Sequence, residues 1–346
     1  MIDLNDLARV RDEPLSAAGA EHLFDRIFEG RLSDGQLLTY LTATAERKPT
    51  VAEITGAARS MRNYMLPVEA PADAIDLCGT GGDGHGTLNI STAVSFVVAA
   101  AGVPVAKHGN RAASSKSGAA DILEALGVKI GLEPQAASKV LAETGIVFLF
   151  AQTHHPAMKH VGAARKRVGR RTIFNLLGPL ASPARVTRQL VGIFAEEWLT
   201  PYAEALQALG SVRALVVHGR DGLDEVTNTD TTFVASLTDG GISRGQIAPE
   251  EAGLTRARLA DLKGGGASEN ARRLTALLSG EPGPYRDIVL LNAAAALMVA
   301  GRAKDILEGM DLASQALDSG AARAKLHELI VATQASISEA VGQLKK

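Results

Sequence analysis

The sequence predicts an α/β protein with a largely parallel central sheet, introduced by an all-helical N-terminal segment. Three observations carry this. Residues 1–66 read as helices throughout, with caps set before apolar periodic runs. From Ala74 short apolar runs alternate with helical stretches, the pattern of strands wound with helices. From Ser268 the chain is mostly Ala/Leu-rich helix.

The elements follow in order. Ser16 caps a first helix that ends at Gly30. Ser33 with Gln36, and Thr50 with Glu53, fit the capping box, in which the cap hydroxyl and the third-position side chain satisfy each other's backbone N–H. Pro67 and the Pro71–Ala72 region mark a linker. The run AIDLC is then a strand, followed by a helix from about Thr92. VPVA is a strand before the helix DILEALG. IVFLFA is a strand, and LVGIF another, before a helix near Ala203–Leu209. RALVVHG is a further strand, and TTFVASL with GGISRGQI makes a hairpin. Gly264–Gly266 reads as a flexible loop. The apolar stretch AVSFVVAAAGVPVA is short and broken by Gly102 and Pro104, so it is a buried helix and strand, not a membrane span.

Composition narrows the function classes. The 346 residues suffice for two domains and a large core, and 46% apolar with 21% charged residues is ordinary for a globular protein. A net charge of −2 gives no global pull toward nucleic acid or anionic membrane, so any anion site is local. The single cysteine, Cys78, excludes an intramolecular disulfide framework and reads as a small buried residue. With no apolar signal-peptide core at the N-terminus, the expected location is the cytoplasm.

The chemistry concentrates in residues 76–121. Between Asp83 and Asp121 there is no acidic residue, while Lys107, Arg111 and Lys116 are present. GTGGDG at Gly79–Gly84 follows a strand, where α/β folds bind ligands. It also matches the dinucleotide pattern G-x-G-x-x-G, but the acidic residue expected about 20 positions later is absent. TLNIST at Thr87–Thr92 precedes an apolar helix that Ser91 or Thr92 can cap, with Asn89 as a further donor. KHGNRAASSKS at Lys107–Ser117 again follows a strand, and its serines stand at the start of the next helix. Each loop alone is equally an ordinary turn or cap. Three donor-rich loops within about forty residues point to a phosphate site.

Asp224 and Glu225, after RALVVHG, are adjacent carboxylates that a cation would relieve, and Mg²⁺ shared with phosphate oxygens is the natural one. A solvated acidic turn is the alternative. The basic run Arg165-Lys166-Arg167 and Arg170-Arg171 reads as a solvated helix face, from which one arginine could grip a carboxylate. His154 and His155 are neighbours, so on a helix they do not face one metal. These residues reach a Mg²⁺-assisted enzyme acting on a phosphorylated small molecule.

The motifs GTGGDGHGTLNIST, KHGNRAASSKSGAADILEALG, HHPAMKHVGAARKRVGRRTIFNLLGPL, HGRDGLDEV and RDIVLLNAAAALMVAG together resemble the anthranilate phosphoribosyltransferases, essentially end to end. The resemblance implies the nucleoside phosphorylase/phosphoribosyltransferase class of fold. That is a small helical domain over 1–70 with a return crossing near 163–186, and a larger α/β domain over 71–346. It implies transfer of phosphoribosyl from phosphoribosyl pyrophosphate to anthranilate in tryptophan biosynthesis, with Mg²⁺, a homodimer and no nucleic-acid or membrane partner. The alternative is a nucleoside phosphorylase or another phosphoribosyl- or nucleotide-binding protein on the same fold, but the phosphorylase phosphate loop typically reads KHSTGG, whereas Lys107-His108-Gly109-Asn110 stands here.

By position, the resemblance puts Gly79, Gly82 and Asp83 at the phosphoribosyl site, and Thr87, Asn89, Ser91 and Thr92 on pyrophosphate. It gives Ser91, Asp224 and Glu225 the metal, and places Gly79, Asn110 and Arg165 around anthranilate with His108 and His155 nearby. Ile90, Gly109, Arg111, Ala112, Ala113, Ser114, Ser115 and Ala119 fall among the substrate contacts. Lys107, Asp83 and Arg165 are the implied catalytic residues. Two positions depart from the family pattern: Ala119 stands where a Ser usually helps bind pyrophosphate, and Ser182 where an Asn is common.

Overall fold

The computed structural model describes residues 7–112 and 116–343 of the chain. Three helices open it: α1 (Ala17–Phe28), α2 (Asp34–Arg47) and α3 (Val51–Asn63). Ser16 accepts from Gly19 N–H, and both expected capping boxes form, Ser33 with Gln36 and Thr50 with Glu53. Glu53 does more than cap. It is fully buried, takes the Arg47 guanidinium as its ion partner and accepts from the Leu15 N–H, so one carboxylate ties the three-helix unit together.

The sheet has seven strands in the order β3-β2-β1-β4-β5-β6-β7. β1 (Ile75–Gly79), β2 (Val105–Gly109), β3 (Ile146–Phe150), β4 (Arg188–Gly192) and β5 (Arg213–Gly219) run parallel. β6 (Thr232–Thr238) and β7 (Gly241–Ile247) add the antiparallel hairpin read from the sequence.

Helix α4 (Ile90–Ala100) joins β1 to β2, and α5 (Ala119–Ala125) and α6 (Pro134–Thr144) join β2 to β3. α6 has Pro134 in its first turn and Gly145 at its end, a start–stop pair not singled out from the sequence. After β3 come the short α7 (Ala151–His154), α8 (Gly162–Val168) and α9 (Phe174–Leu177); α10 (Leu199–Ala208) follows β4. The C-terminal third is helical: α11 (Ala267–Leu278), α12 (Pro284–Ala300), α13 (Ile306–Asp318) and α14 (Ala321–Gln343).

Strand alternation divides the interior into two cores. Leu190, Leu215 and Val217 face one side and pack with α4, α12 and α13; Val191, Ala214 and Val216 face the other. That second side is covered by α10 and, beyond it, by α1–α3 with Val161, Ala164, Ile173 and Phe174 of the segment after β3. Phe24 meets Phe28, Tyr40 and Phe174 at ring-centroid distances of 5.4–5.9 Å, an aromatic knot holding the returning chain to the N-terminal helices.

Two expectations are corrected. α4 begins at Ile90 with Asn89 at its cap position, so neither Ser91 nor Thr92 is the cap. Gly264–Gly266 is not a loose loop: Gly264 N–H donates to the Gly86 carbonyl at 2.9 Å, and a Cβ on Gly264 would lie 2.6 Å from the Thr87 carbonyl oxygen. The segment is pressed against the end of the glycine loop.

Candidate active site

The C-terminal ends of β1, β2, β4 and β5 gather the residues singled out above. The glycine loop leaves β1 through backbone angles that side chains resist: Gly81, Gly82, Gly84 and Gly86 have φ of +65°, +80°, +80° and +60°. Thr80 N–H donates to the Gly192 carbonyl at 2.9 Å, and Gly81 N–H donates to Asp224 Oδ2 at 2.9 Å. The acidic segment thus lies directly on the glycine loop. A Cβ on Gly79 would stand 2.9 Å from Asp224 Oδ2, and one on Gly192 1.7 Å from the Asp224 carbonyl oxygen.

α4 starts without a side-chain cap, because the Asn89 side chain is engaged elsewhere. Its amide donates to the Ser117 carbonyl and its oxygen accepts from Asn270 Nδ2 at 2.9 Å, tying the two phosphate loops to α11. The helix end keeps its dipole for an anion, while its Ser91 N–H is taken by Glu225 and its Ile90 N–H by the Leu88 carbonyl. Ile90 lies in the core, and Thr92 is buried with its Oγ1 lacking a hydrogen-bond partner among the described residues. Thr87 bridges to Lys263.

Strands β1 and β2 share only the Ile75–Val105 pairing, then splay. Two side chains fill the gap. The fully buried Asp76 accepts the His108 N–H at 2.9 Å, standing in for a lost ladder bond. The buried Lys107 ammonium donates to the Leu77 carbonyl and to Ser91 Oγ, at 3.2 Å for the latter. Burial pushes the Asp76 carboxyl up to about 6, against the pull of Lys107 and of the backbone N–H groups it binds. Two of the three ammonium protons of Lys107 are spent on Leu77 and Ser91, and its charge also acts on Asp76 and Glu225.

The loop after β2 closes on α5. Asp121 accepts from Ala112 N–H at 3.0 Å and Gly118 N–H at 2.8 Å, so Gly118, not a serine, holds the cap position. Arg111 is paired with Asp121 and Glu124 and lies over the Phe150 ring. Its charge is therefore already partnered inside the protein. Ala119 opens α5, 3.5 Å from where a Cβ on Gly109 would be. Ala113, Ser114 and Ser115 lie outside the described residues.

His108 and His155 meet with ring centroids 5.0 Å apart and their planes tilted by 49°, both buried. Burial first, then each one's histidine neighbours, lowers both, His155 to about 4, so both are neutral at pH 7. His108 Nδ1 lies 3.2 Å from the Gly178 carbonyl oxygen, which joins β2 to the returning segment. Asn110, at the end of β2, accepts from its neighbour Arg111's N–H and from Gln152. Arg165, on α8, sits 5.5 Å over the Phe174 ring, and burial lowers its pKa. It has no carboxylate partner among the described residues, unlike Arg111. Arg167 is exposed. Ser182 is buried with its hydroxyl unpartnered.

Asp83, Asp224 and Glu225 approach one another closely enough to interact. Burial first, then repulsion from Asp83 on Asp224 and from Asp224 and Asp83 on Glu225, drives both carboxyls well above the usual carboxylate range. Such a pair calls for a cation. Among the described residues no group of three or more His, Cys, Asp or Glu forms a cage for a metal. The donors present are all oxygen, from two carboxylates and the Ser91 hydroxyl, which suits Mg²⁺ completed by water and phosphate.

Four residues of the site escaped sequence reading. Asp76 left a signal, an acid inside an apolar strand. Asp121 fits a cap pattern. Asn270 left none. Arg171 left only its place in a basic run; its guanidinium lies 4.1 Å over the Phe194 ring and donates to the Gly82 carbonyl.

Comparison with known proteins places this geometry. Residues 71–323 match the family described as "Glycosyl transferase family, a/b domain", and residues 7–65 its "helical bundle domain". The anthranilate phosphoribosyltransferase of Azorhizobium caulinodans is 57% identical over 91% of this chain and 92% of its own. The crystal structure of anthranilate phosphoribosyltransferase from Thermus thermophilus superposes with a TM-score of 0.91 at 42% identity, covering 95% of this chain and 99% of that one. The Saccharomyces cerevisiae enzyme "in complex with PRPP and Mg" gives 0.88 at 28% identity, over 96% and 98% of the two chains.

Proposed function

The chain belongs to the anthranilate phosphoribosyltransferases, and we propose that it joins the amine of anthranilate to the anomeric carbon of phosphoribosyl pyrophosphate, releasing pyrophosphate, as in tryptophan biosynthesis. The observation that carries this is the meeting of an anion-ready glycine loop and helix end with the Asp224–Glu225 pair at the C-terminal ends of the central parallel strands.

In this reading a C–N bond forms at the anomeric carbon as the C–O bond to pyrophosphate breaks, and the amine gives up a proton. Positive charge builds on the sugar and negative charge on the leaving group. The Lys107 ammonium and the positive end of the α4 dipole stabilise the departing oxygens, with Thr87, Asn89, Ser91 and Thr92 around them. Gly79, Gly82 and Asp83 receive the phosphoribosyl group. Asp224, Glu225 and Ser91 would hold Mg²⁺, which supplies charge neutralisation at the pyrophosphate.

The half-buried, unpaired guanidinium of Arg165 is suited to the acceptor's carboxylate. Asn110 and the neutral His108–His155 pair line the same acceptor, and neutrality suits them to an aromatic ring. Anthranilate's amine is a nucleophile while uncharged, so positioning supplies much of the rate. A division into a helical part over 1–70, joined by the segment near 163–186, and an α/β part over 71–346 puts the acceptor residue Arg165 on one part and the donor loops on the other. A homodimer in the cytoplasm completes the proposal; light scattering tests the former.

The decisive assay follows the loss of anthranilate fluorescence on adding phosphoribosyl pyrophosphate and Mg²⁺. Loss that needs both additions is the expected result. No loss with folded protein would overturn the assignment.

A further inference from the structure

The acidic pair is held in place from a distance. Asn292, in the middle of α12, is fully buried. Its Oδ1 accepts the Val226 N–H at 2.9 Å, while its Nδ2 donates to the Val226 carbonyl at 2.7 Å and to the Ile288 carbonyl at 2.8 Å. One side-chain amide thus takes both backbone groups of the residue that follows Glu225, as a neighbouring strand would. Two residues on, Asn228 Nδ2 donates to the Pro284 carbonyl at 2.9 Å, so the segment is stitched to α12 again. On the other side, Asp221 accepts from Leu223 N–H and from the Thr227 and Thr229 hydroxyls. A cavity of about 10 Å³, room for one water, lies among Asn292, Glu225, Ser91 and Cys78.

Two crowded, repelling carboxylates beside a void have reason to move. We propose that Asn292 is a positioning residue for the metal site, fixing Val226 so that Glu225 and Asp224 stay convergent. Its role rests on the assignment of Asp224 and Glu225 to Mg²⁺ made above. Outer partners of metal ligands typically govern affinity by about ten- to a hundredfold.

The test uses the full chain with three substitutions. Asn292→Ala removes the clamp. Asn292→Asp keeps the volume and the acceptor for Val226 N–H but loses both donated bonds. Val299→Ala, at a buried position of the same helix with no part in the clamp, is the control for destabilisation alone. Mg²⁺ is titrated calorimetrically in the presence of phosphoribosyl pyrophosphate and without anthranilate. Both Asn292 variants should need about ten- to a hundredfold more Mg²⁺ for half-saturation. At saturating Mg²⁺ the KM for anthranilate should be unchanged, and Val299→Ala should titrate like the natural protein. A natural Mg²⁺ curve in a folded Asn292 variant, or a shift equalled by Val299→Ala, would overturn the proposal. Where Asn292→Ala fails to fold, the Mg²⁺ titration of Asn292→Asp decides in its place. If the natural protein itself shows no Mg²⁺-dependent binding, the metal assignment fails first, which is a different result from a natural curve in the variants.

Discussion

The glycine loop after β1 and the acidic loop after β5 touch, Gly81 N–H donating to Asp224 Oδ2, yet they are shaped by different means. The glycine loop owes its form largely to its own backbone, four glycines at positive φ within six residues. The acidic loop owes its form to side chains, Asp221 and the Thr227 and Thr229 hydroxyls within it, and Asn292, 66 positions beyond Val226. A loop made of backbone conformations presents N–H groups and suits an anion. A loop made of tethered carboxylates concentrates negative charge and suits a cation. Side by side they can grip the two halves of a metal–phosphate ligand.

The sharpest way to break this juxtaposition is at its hinge. Gly192 lets the Asp224 backbone pass, and a methyl group there would collide with main-chain atoms that have little room to yield. Gly192→Ala should cost about 4 kcal/mol or more, read as a drop in the denaturant midpoint. A midpoint like that of the natural protein would show that the two loops are not locked together at this point.

Removing the charge of one loop tests the division of labour. With Asp224→Ala and Glu225→Ala combined, transfer should fall on the order of a hundredfold or more and lose its Mg²⁺ dependence. The fold should not suffer, because two half-buried carboxyls that repel one another are gone. Undiminished turnover at the same Mg²⁺ would remove the acidic loop from the mechanism.

Arg165 belongs to neither loop, and a substitution there should leave both alone. Arg165→Ala should raise the KM for anthranilate about ten- to a hundredfold, the worth of a charge-assisted pair, with binding of phosphoribosyl pyrophosphate nearly intact. Arg165→Lys recovers only part, since an ammonium lacks the planar fork, and the exposed Arg167 should tolerate Ala. Weakened donor binding in Arg165→Ala would refute the acceptor role.

Gly82→Ala perturbs the glycine loop alone. Its φ of +80° costs a side chain roughly 1–2 kcal/mol, so affinity for phosphoribosyl pyrophosphate should drop about tenfold while the Mg²⁺ requirement stays put. A shifted Mg²⁺ requirement would mean that the two loops act as one. The smallest effect is expected at α5, where Ala119→Ser restores one neutral hydrogen bond and tightens the same ligand by no more than about tenfold. Calorimetry that finds no gain would mean the hydroxyl is already replaced.

Local chemistry was legible in the chain itself. Ser33 with Gln36 and Thr50 with Glu53 encode helix starts within four residues, and the alternating runs encode a parallel sheet, because periodicity records which face is buried. The glycine loop and the Asp224–Glu225 pair were equally visible, as were the motifs that carry the family. Contacts between distant segments were not. That Ser91 receives the Lys107 ammonium instead of capping α4, that Arg111 is consumed by Asp121 and Glu124 while Arg165 has no carboxylate partner among the described residues, and that Gly264 packs on Thr87 all depend on which segments the fold brings together. Nothing around Asn292 in sequence announces its partner, because a buried amide shows its purpose only once the backbone it satisfies, Val226, has arrived from the other side of the core.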